Sequence, residues 1–170
     1  MKNMNMLYIT LVTAGILSIP LLAQWPWTLS DFVIMGILVS GTGFAYELIK
    51  NKGGTTMYRA AAGVAVLSTF LLTWVNLAVG LIGGENNPIN ALYFIIPVVG
   101  LIGAGIARFE PRGMAYTLFA MALTQLVIPV IAFILYRPEL NDGVIRTFGA
   151  SSFFAMLFVA SGLLFQNASA

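Results

Sequence analysis

One short segment of the sequence concentrates side chains that could coordinate a cation or contact a partner. It contains one carboxylate and four carboxamides within about fifteen residues: Asn76, Glu85, Asn86, Asn87 and Asn90. Carboxylate and amide oxygens are ligands that suit hard cations. The same residue types are also typical of helix caps and Asx turns. The sequence therefore leaves two interpretations of this outer-face group open: a structural turn, or a contact with a ligand or partner.

A second group of charged residues flanks two other short connections. It consists of Glu47, Arg59, Arg108 and Arg112. A carboxylate that is buried or half-buried needs a cationic partner, so we expect Glu47 to form an ion pair with Arg59 or Arg108. The alternative is a site for an anionic lipid headgroup, built from the three arginines.

One amide, Gln125, lies near the middle of a long apolar run. A buried amide surrounded by lipid must find hydrogen-bond partners, and contact with a neighbouring helix is the commoner reason for it. The other interpretation is a mid-membrane polar site for a solute or ion. A continuous polar cavity from Asn76 to Gln125 would favour passage, whereas seams closed by packed glycines would favour helix contact.

The composition excludes most catalytic chemistry. There is no His and no Cys, which rules out thiolate and imidazole metal sites, iron–sulfur clusters, Cys nucleophiles and His-based acid–base catalysis. No serine–base pair, glycine-rich phosphate loop or carboxylate pair is visible. The sequence therefore predicts no enzyme activity, no cofactor, no metal site and no nucleic-acid partner.

The elements that must position these residues are membrane helices. Only 14 of the 170 residues are charged, where a soluble domain would carry about 40, and the mean hydropathy is +0.94. About 20 apolar residues cross a bilayer as a helix. The sequence predicts an all-α membrane bundle, a single domain with six transmembrane helices and no soluble part. The predicted spans are 5–23, 29–49, 58–83, 91–107, 114–136 and 147–165.

The distribution of basic residues predicts the orientation. With a cytoplasmic N-terminus, one side holds six basic residues and the other holds Arg137 and Arg146. This ratio favours both termini inside. The six on the cytoplasmic side would be Lys2, Lys50, Lys52, Arg59, Arg108 and Arg112.

Small and weakly polar residues recur at helical spacing in several spans. In the third span, Thr69, Thr73, Asn76 and Gly80 share one face, which we expect to pack against another helix of the chain. Comparable seams occur in the second, fourth and fifth spans. These seams, together with the lack of deep charges, favour helix–helix contact as the way in which the protein acts.

Three segments carry a resemblance to a family of small, uncharacterised bacterial integral membrane proteins. They are WTLSDFVIMGILVSGTGFAYEL, YRAAAGVAVLSTFLLTWVNLAVGLIGGENNPIN and LIGAGIARFEPRGMAYTLFAMALTQ, which together span roughly residues 27–125. WVNLAVGLIGGENNP and IARFEPRGMA are the most specific parts. The resemblance implies a location in the bacterial inner membrane. It implies no activity, substrate or catalytic residue.

Taken together, the sequence favours a non-enzymatic integral membrane protein surrounded by the lipid bilayer. It would act as an accessory subunit of a larger membrane complex or as a homo-oligomer. The first alternative is binding or translocation of a small solute or ion, involving Asn76, Glu85 and Gln125. The second alternative is a lipid-associated enzyme.

Overall fold

The computed structural model describes residues 6–136 and 142–168, and these fold into α-helices without any β-strand. A short 3₁₀ helix, Pro88–Phe94, leads directly into the fourth α-helix. The α-helices are α1 (Met6–Leu22), α2 (Leu29–Lys50), α3 (Thr56–Val79), α4 (Ile95–Ile106), α5 (Pro111–Tyr136) and α6 (Asp142–Asn167).

The predicted all-α bundle is confirmed, with corrections to the spans. The third span ends at Val79 and not at residue 83, because Gly80 has φ 66° and turns the chain out of the helix. The predicted packing role of Gly80 inside that span is therefore wrong. The fourth span begins with the 3₁₀ helix, and the sixth begins at Asp142, five residues before the predicted start.

Five of the helical segments are long and apolar enough to cross a membrane: α2, α3, the 3₁₀ helix with α4, α5 and α6. The helix α1 is apolar but has 17 residues. At 1.5 Å per residue it reaches about 25 Å, slightly less than a hydrocarbon core of about 30 Å. Among the described residues, α1 is thus shorter than the other five segments that correspond to predicted spans.

Neighbouring helices run in alternate directions, as their closest pairs show. Thr13 of α1 lies against Ser40 of α2, and Ser161 of α6 hydrogen-bonds to Ala61 of α3. The bundle therefore has two ends. We call the end with the α2–α3 and α4–α5 connections the basic end, and the end with the α1–α2 and α3–α4 connections the asparagine end.

The helices α3 to α6 form the core. The helix α6 packs against both α3 and α5, and α4 packs against α5. Outside the core, α1 packs chiefly against α2, and α2 in turn packs against α3. Glycines close the core seams: a methyl group at Gly103 would lie 2.4 Å from Thr117 Cγ2, and one at Gly162 would lie 2.6 Å from Phe119 Cε1. The α1–α2 hairpin is thus attached to one side of the core chiefly through α3.

Candidate functional site

The outer-face asparagines brace the connection between α3 and the 3₁₀ helix. Asn90 is buried, and its Oδ1 accepts from the Ile82 amide at 2.9 Å. Its Nδ2 donates to the carbonyls of Ile82 at 3.1 Å and Gly84 at 2.7 Å. One side chain therefore satisfies three backbone groups of a loop that glycines allow to turn sharply.

The other members of this group divide into bound and exposed residues. Asn76 Nδ2 donates to the Asn90 carbonyl at 3.0 Å, and Asn87 Oδ1 accepts from the Ile89 amide at 3.1 Å to cap the 3₁₀ helix. Glu85 and Asn86 are exposed. Within the described part of the chain, no three carboxylates come together as metal ligands. The structure thus favours the interpretation of this group as a turn, because backbone groups bond to both ends of the Asn90 amide and to the amide nitrogen of Asn76.

The inner-face carboxylate pairs differently from the expectation. Glu47 forms its ion pair with Lys50, one turn further along α2. The predicted pairing with Arg59 or Arg108 is wrong, because a lysine at i+3 on the same helix already satisfies the half-buried carboxylate. Lys50 Nζ also lies 5.3 Å from the centre of the Tyr46 ring.

The arginines of the inner group are exposed at the basic end of the bundle. In the described residues the Glu47–Lys50 pair is the one ion pair, so Arg59, Arg108 and Arg112 have no carboxylate within 4.0 Å. These guanidinium groups are therefore available to an anion from outside the chain.

Tyr58 holds the basic end together. Its ring is 1% exposed and meets Phe165 edge-on at 5.0 Å, and its hydroxyl donates to the Phe109 carbonyl at 2.6 Å. Arg108 and Phe109 have φ of 49° and 62°, values that are costly for residues other than glycine. The Tyr58 bond thus helps to fix the α4–α5 turn against the start of α3.

Gln125 is completely buried in α5, and neither of its amide atoms has a partner among the described residues. Asn76 Oδ1 is likewise buried without a partner. The two cavities described below contain neither residue. Among the described residues, neither of these cavities therefore connects Asn76 to Gln125, and close glycine contacts join α4 to α5 and α5 to α6.

A groove of about 440 Å³ that the sequence did not indicate lies between α2 and α4, and we call it the α2–α4 groove. It forms because α2 leans on α3 and leaves the sides of α4 and α5 uncovered. Its walls and floor are formed by Ile37, Leu38, Gly41, Thr42, Ala45, Leu48 and Ile49 of α2, Ala65, Val66, Thr69, Phe70 and Thr73 of α3, Pro97, Gly100, Leu101 and Ala104 of α4, the turn residue Phe109, and Met114, Thr117, Leu118 and Met121 of α5.

The polar side chains that line the groove already have hydrogen-bond partners within the protein. Its four threonine hydroxyls donate to carbonyls one turn back on their own helices, at 2.6 to 3.0 Å. Every other lining residue is apolar. The surface presented to an occupant is therefore almost entirely hydrocarbon, and it suits an apolar ligand of the bilayer.

Small residues make the groove. Nothing lies within 4 Å of a methyl group placed on Gly41, and Ala45 follows one turn later on the same face. These two residues lie on the face of α2 opposite to the seam of Gly36, Ser40 and Gly43, which packs against α1. The spacing of small residues alone did not reveal that the face with Gly41 remains open.

A second cavity, of about 280 Å³, lies at the asparagine end among the loop residues Ile82, Gly83 and Asn87 and parts of α5 and α6. Thr147 at its edge donates to the Leu81 carbonyl at 2.8 Å and so ties α6 to the loop.

Comparison of the chain with protein-family models, with curated proteins and with solved structures finds no match. The functional argument therefore depends on the geometry of the chain itself.

Proposed function

We propose that the protein is a non-enzymatic integral membrane protein that holds the acyl chain of a membrane lipid in the α2–α4 groove. The observation that carries the proposal is the groove itself: about 440 Å³ of space within the membrane-spanning part of the bundle, lined by apolar groups and by threonines whose hydroxyls are already bonded. Chain binding by this surface requires no catalytic group.

The dimensions of the groove favour a hydrocarbon chain. Its α2 wall runs from Ile37 to Ile49, a rise of about 18 Å. A single hydrocarbon chain is thin enough to lie along that length, because non-bonded carbons approach to about 3.5–4.0 Å.

A second candidate is helix–helix contact, as in an accessory subunit of a larger complex or a homo-oligomer. The observation that favours it is the open pair Gly41 and Ala45, the small-xxx-small spacing that lets two membrane helices approach closely. A partner helix is about 10–12 Å across and needs a wider surface than a single acyl chain does, which is why we prefer the chain.

We further propose that the protein lies in a bacterial inner membrane with both termini cytoplasmic. The basic end carries Lys50, Lys52, Arg59, Arg108 and Arg112 against the acidic Glu47 and Glu110. At the asparagine end, the described chain carries Asp31, Glu85 and Asp142 against Arg146. Basic residues in short loops stay on the cytoplasmic side. A cysteine introduced at Asn87 should then react with an impermeant reagent outside whole cells, and one at Lys52 should not.

The experiment that tests chain binding fills the groove from within. Gly41→Leu places a side chain into the groove without meeting another atom within 4 Å at its Cβ. Gly105→Leu is the matched control, since Gly105 is also exposed and uncrowded but does not line the groove. Each variant is extracted gently from native membranes, and the mass of the intact protein with its retained lipid is measured.

We expect the parent and Gly105→Leu to retain one lipid per chain and Gly41→Leu to lose it. Equal retention of lipid by the parent and both variants would refute the groove as the lipid site. A protein partner that the parent retains and Gly41→Leu loses would favour the helix-contact candidate instead.

A further inference from the structure

We propose that the lipid held in the α2–α4 groove is an anionic phospholipid whose phosphate binds Lys52 and Arg59 at the basic end. This inference rests on the proposed function, because it assigns a headgroup to the chain already placed in the groove. It adds a charge-selective site that the apolar lining alone would not provide.

The position of Lys52 carries the first step. Its Nζ lies 5.8 Å from the centre of the Phe109 ring, and Phe109 is one of the residues that line the groove. The ammonium group is thus directly at the mouth of the groove. A chain that leaves the groove along Phe109 brings its phosphate to this cation.

Arg59 reaches the same mouth from α3. It lies seven residues before Val66, two helical turns on the same face, and Val66 lines the groove. Side chains on a helix point back towards its N-terminus, which places the Arg59 guanidinium beyond the floor of the groove at the basic end. The neighbouring Tyr58 bonds to the Phe109 carbonyl and so keeps the start of α3 beside the turn.

The charge balance at the mouth favours an anion over a zwitterion. Glu47 neutralises Lys50, while Lys52 and Arg59 have no carboxylate within 4.0 Å in the described residues. The exposed Arg108 and Glu110 flank Phe109 and offset each other in charge, so the excess positive charge at the mouth comes from Lys52 and Arg59. Basic pockets between membrane helices on the cytoplasmic side bind anionic headgroups in this way.

Arg112 provides a matched control on the same end. It is exposed and carries the same charge. The residue two turns further along its face of α5, Phe119, lies against Gly162 of α6, so this face turns towards α6 and away from the groove. Its removal lowers the net charge by the same amount without touching the proposed phosphate site.

The test measures binding of two lipids with identical chains, dioleoyl phosphatidylglycerol and dioleoyl phosphatidylcholine, to delipidated full-length protein by native mass spectrometry. We expect the parent to prefer the phosphatidylglycerol and Lys52→Ala/Arg59→Ala to lose most of that preference. One basic residue at a membrane surface contributes about fivefold, the factor that corresponds to about 1 kcal/mol, so the double variant should lose about 30-fold. Arg112→Ala should keep the parental ratio.

The outcomes separate this inference from the proposed function. Equal binding of both lipids, with Gly41→Leu abolishing both, would leave the chain site intact and overturn the headgroup site. A preference that Arg112→Ala reduces as much as either Lys52→Ala or Arg59→Ala would also overturn it, because diffuse charge would then explain the selectivity. If Gly41→Leu does not affect the binding of either lipid, the proposed function itself fails.

Discussion

The α3–α6 core and the α1–α2 hairpin are both built from apolar helices but are held together differently. In the core, buried polar groups join different elements: Ser161 to the Ala61 carbonyl, Tyr93 to Ser151, and Asn76 to the Asn90 carbonyl. In the hairpin, a single such bond joins Thr13 and Ser40 among the described side chains. In the most apolar stretch of each helix, 39% of α5 and of α6 is buried but only 11% of α2.

This difference shows which part of a small bundle of membrane helices leaves room for a ligand. In lipid there is no hydrophobic drive to close a seam, so packing and interhelical hydrogen bonds decide which faces meet. The core uses its glycines for close contact and leaves no room for an occupant in those seams. The hairpin packs against the core chiefly along α3, and the resulting α2–α4 groove is the surface left for an apolar ligand.

The largest expected effect is on the turn that ends α3. Gly80→Ala should lower thermal stability in detergent by at least about 2 kcal/mol, because Gly80 has φ 66° and a methyl group would lie 2.3 Å from the Gly84 carbonyl oxygen. Gly84→Ala is the control, with φ 100° but nothing within 4 Å. Equal melting temperatures for the two variants would show that crowding contributes nothing to this turn.

A smaller effect, of opposite sign, is expected at Gln125. Replacing it by Leu removes two buried amide atoms that have no partner in the described chain, so we expect a gain of about 1–3 kcal/mol. Asn76→Leu is the contrast, since its amide nitrogen is bonded to the Asn90 carbonyl, and it should lose stability. The check is thermal unfolding in detergent. A Gln125→Leu protein that melts well below the parent would indicate that this amide binds a group in the native membrane and would revive a solute site.

The smallest expected effect compares the two regions directly. Ser161→Ala in the core removes a fully buried bond of 2.8 Å, and Ser40→Ala in the hairpin removes a part-buried bond of 3.2 Å. We expect a loss of about 1 kcal/mol for the first and about 0.5 kcal/mol or less for the second, as judged by melting temperatures. A larger loss for Ser40→Ala would contradict the weaker attachment of the hairpin.

Much of the fold could be predicted because composition and charge spacing determine membrane helices almost alone. The ends of the helices were harder. The period of small residues continues past Val79 to Gly80, although the backbone of Gly80 leaves the helix there. Periodicity reports which face a residue occupies but not whether its φ stays helical.

The sequence was sufficient to identify the candidate residues but not the groups with which they form hydrogen bonds or ion pairs. Asn90 and Glu47 were identified from the sequence, but the partners of Asn90 are backbone groups of a loop whose shape the sequence does not reveal. Glu47 paired with the nearest cation on its own helix rather than across helices. The sequence did not predict the groove, because the groove forms where two helices do not touch. Residue patterns indicate only which helix faces are able to pack against another helix.

The most direct test of acyl-chain binding is to map where a retained lipid lies. A phospholipid with a photoactivatable group on its acyl chain is bound to the purified protein, free lipid is removed, and the cross-linked peptides are identified by mass spectrometry. The account predicts labelling confined to the groove, on α2 between Ile37 and Ile49 and on α4 between Pro97 and Ala104. Labelling of exposed residues outside the groove, such as Leu7 of α1 and Met156 of α6, at the same frequency would contradict it.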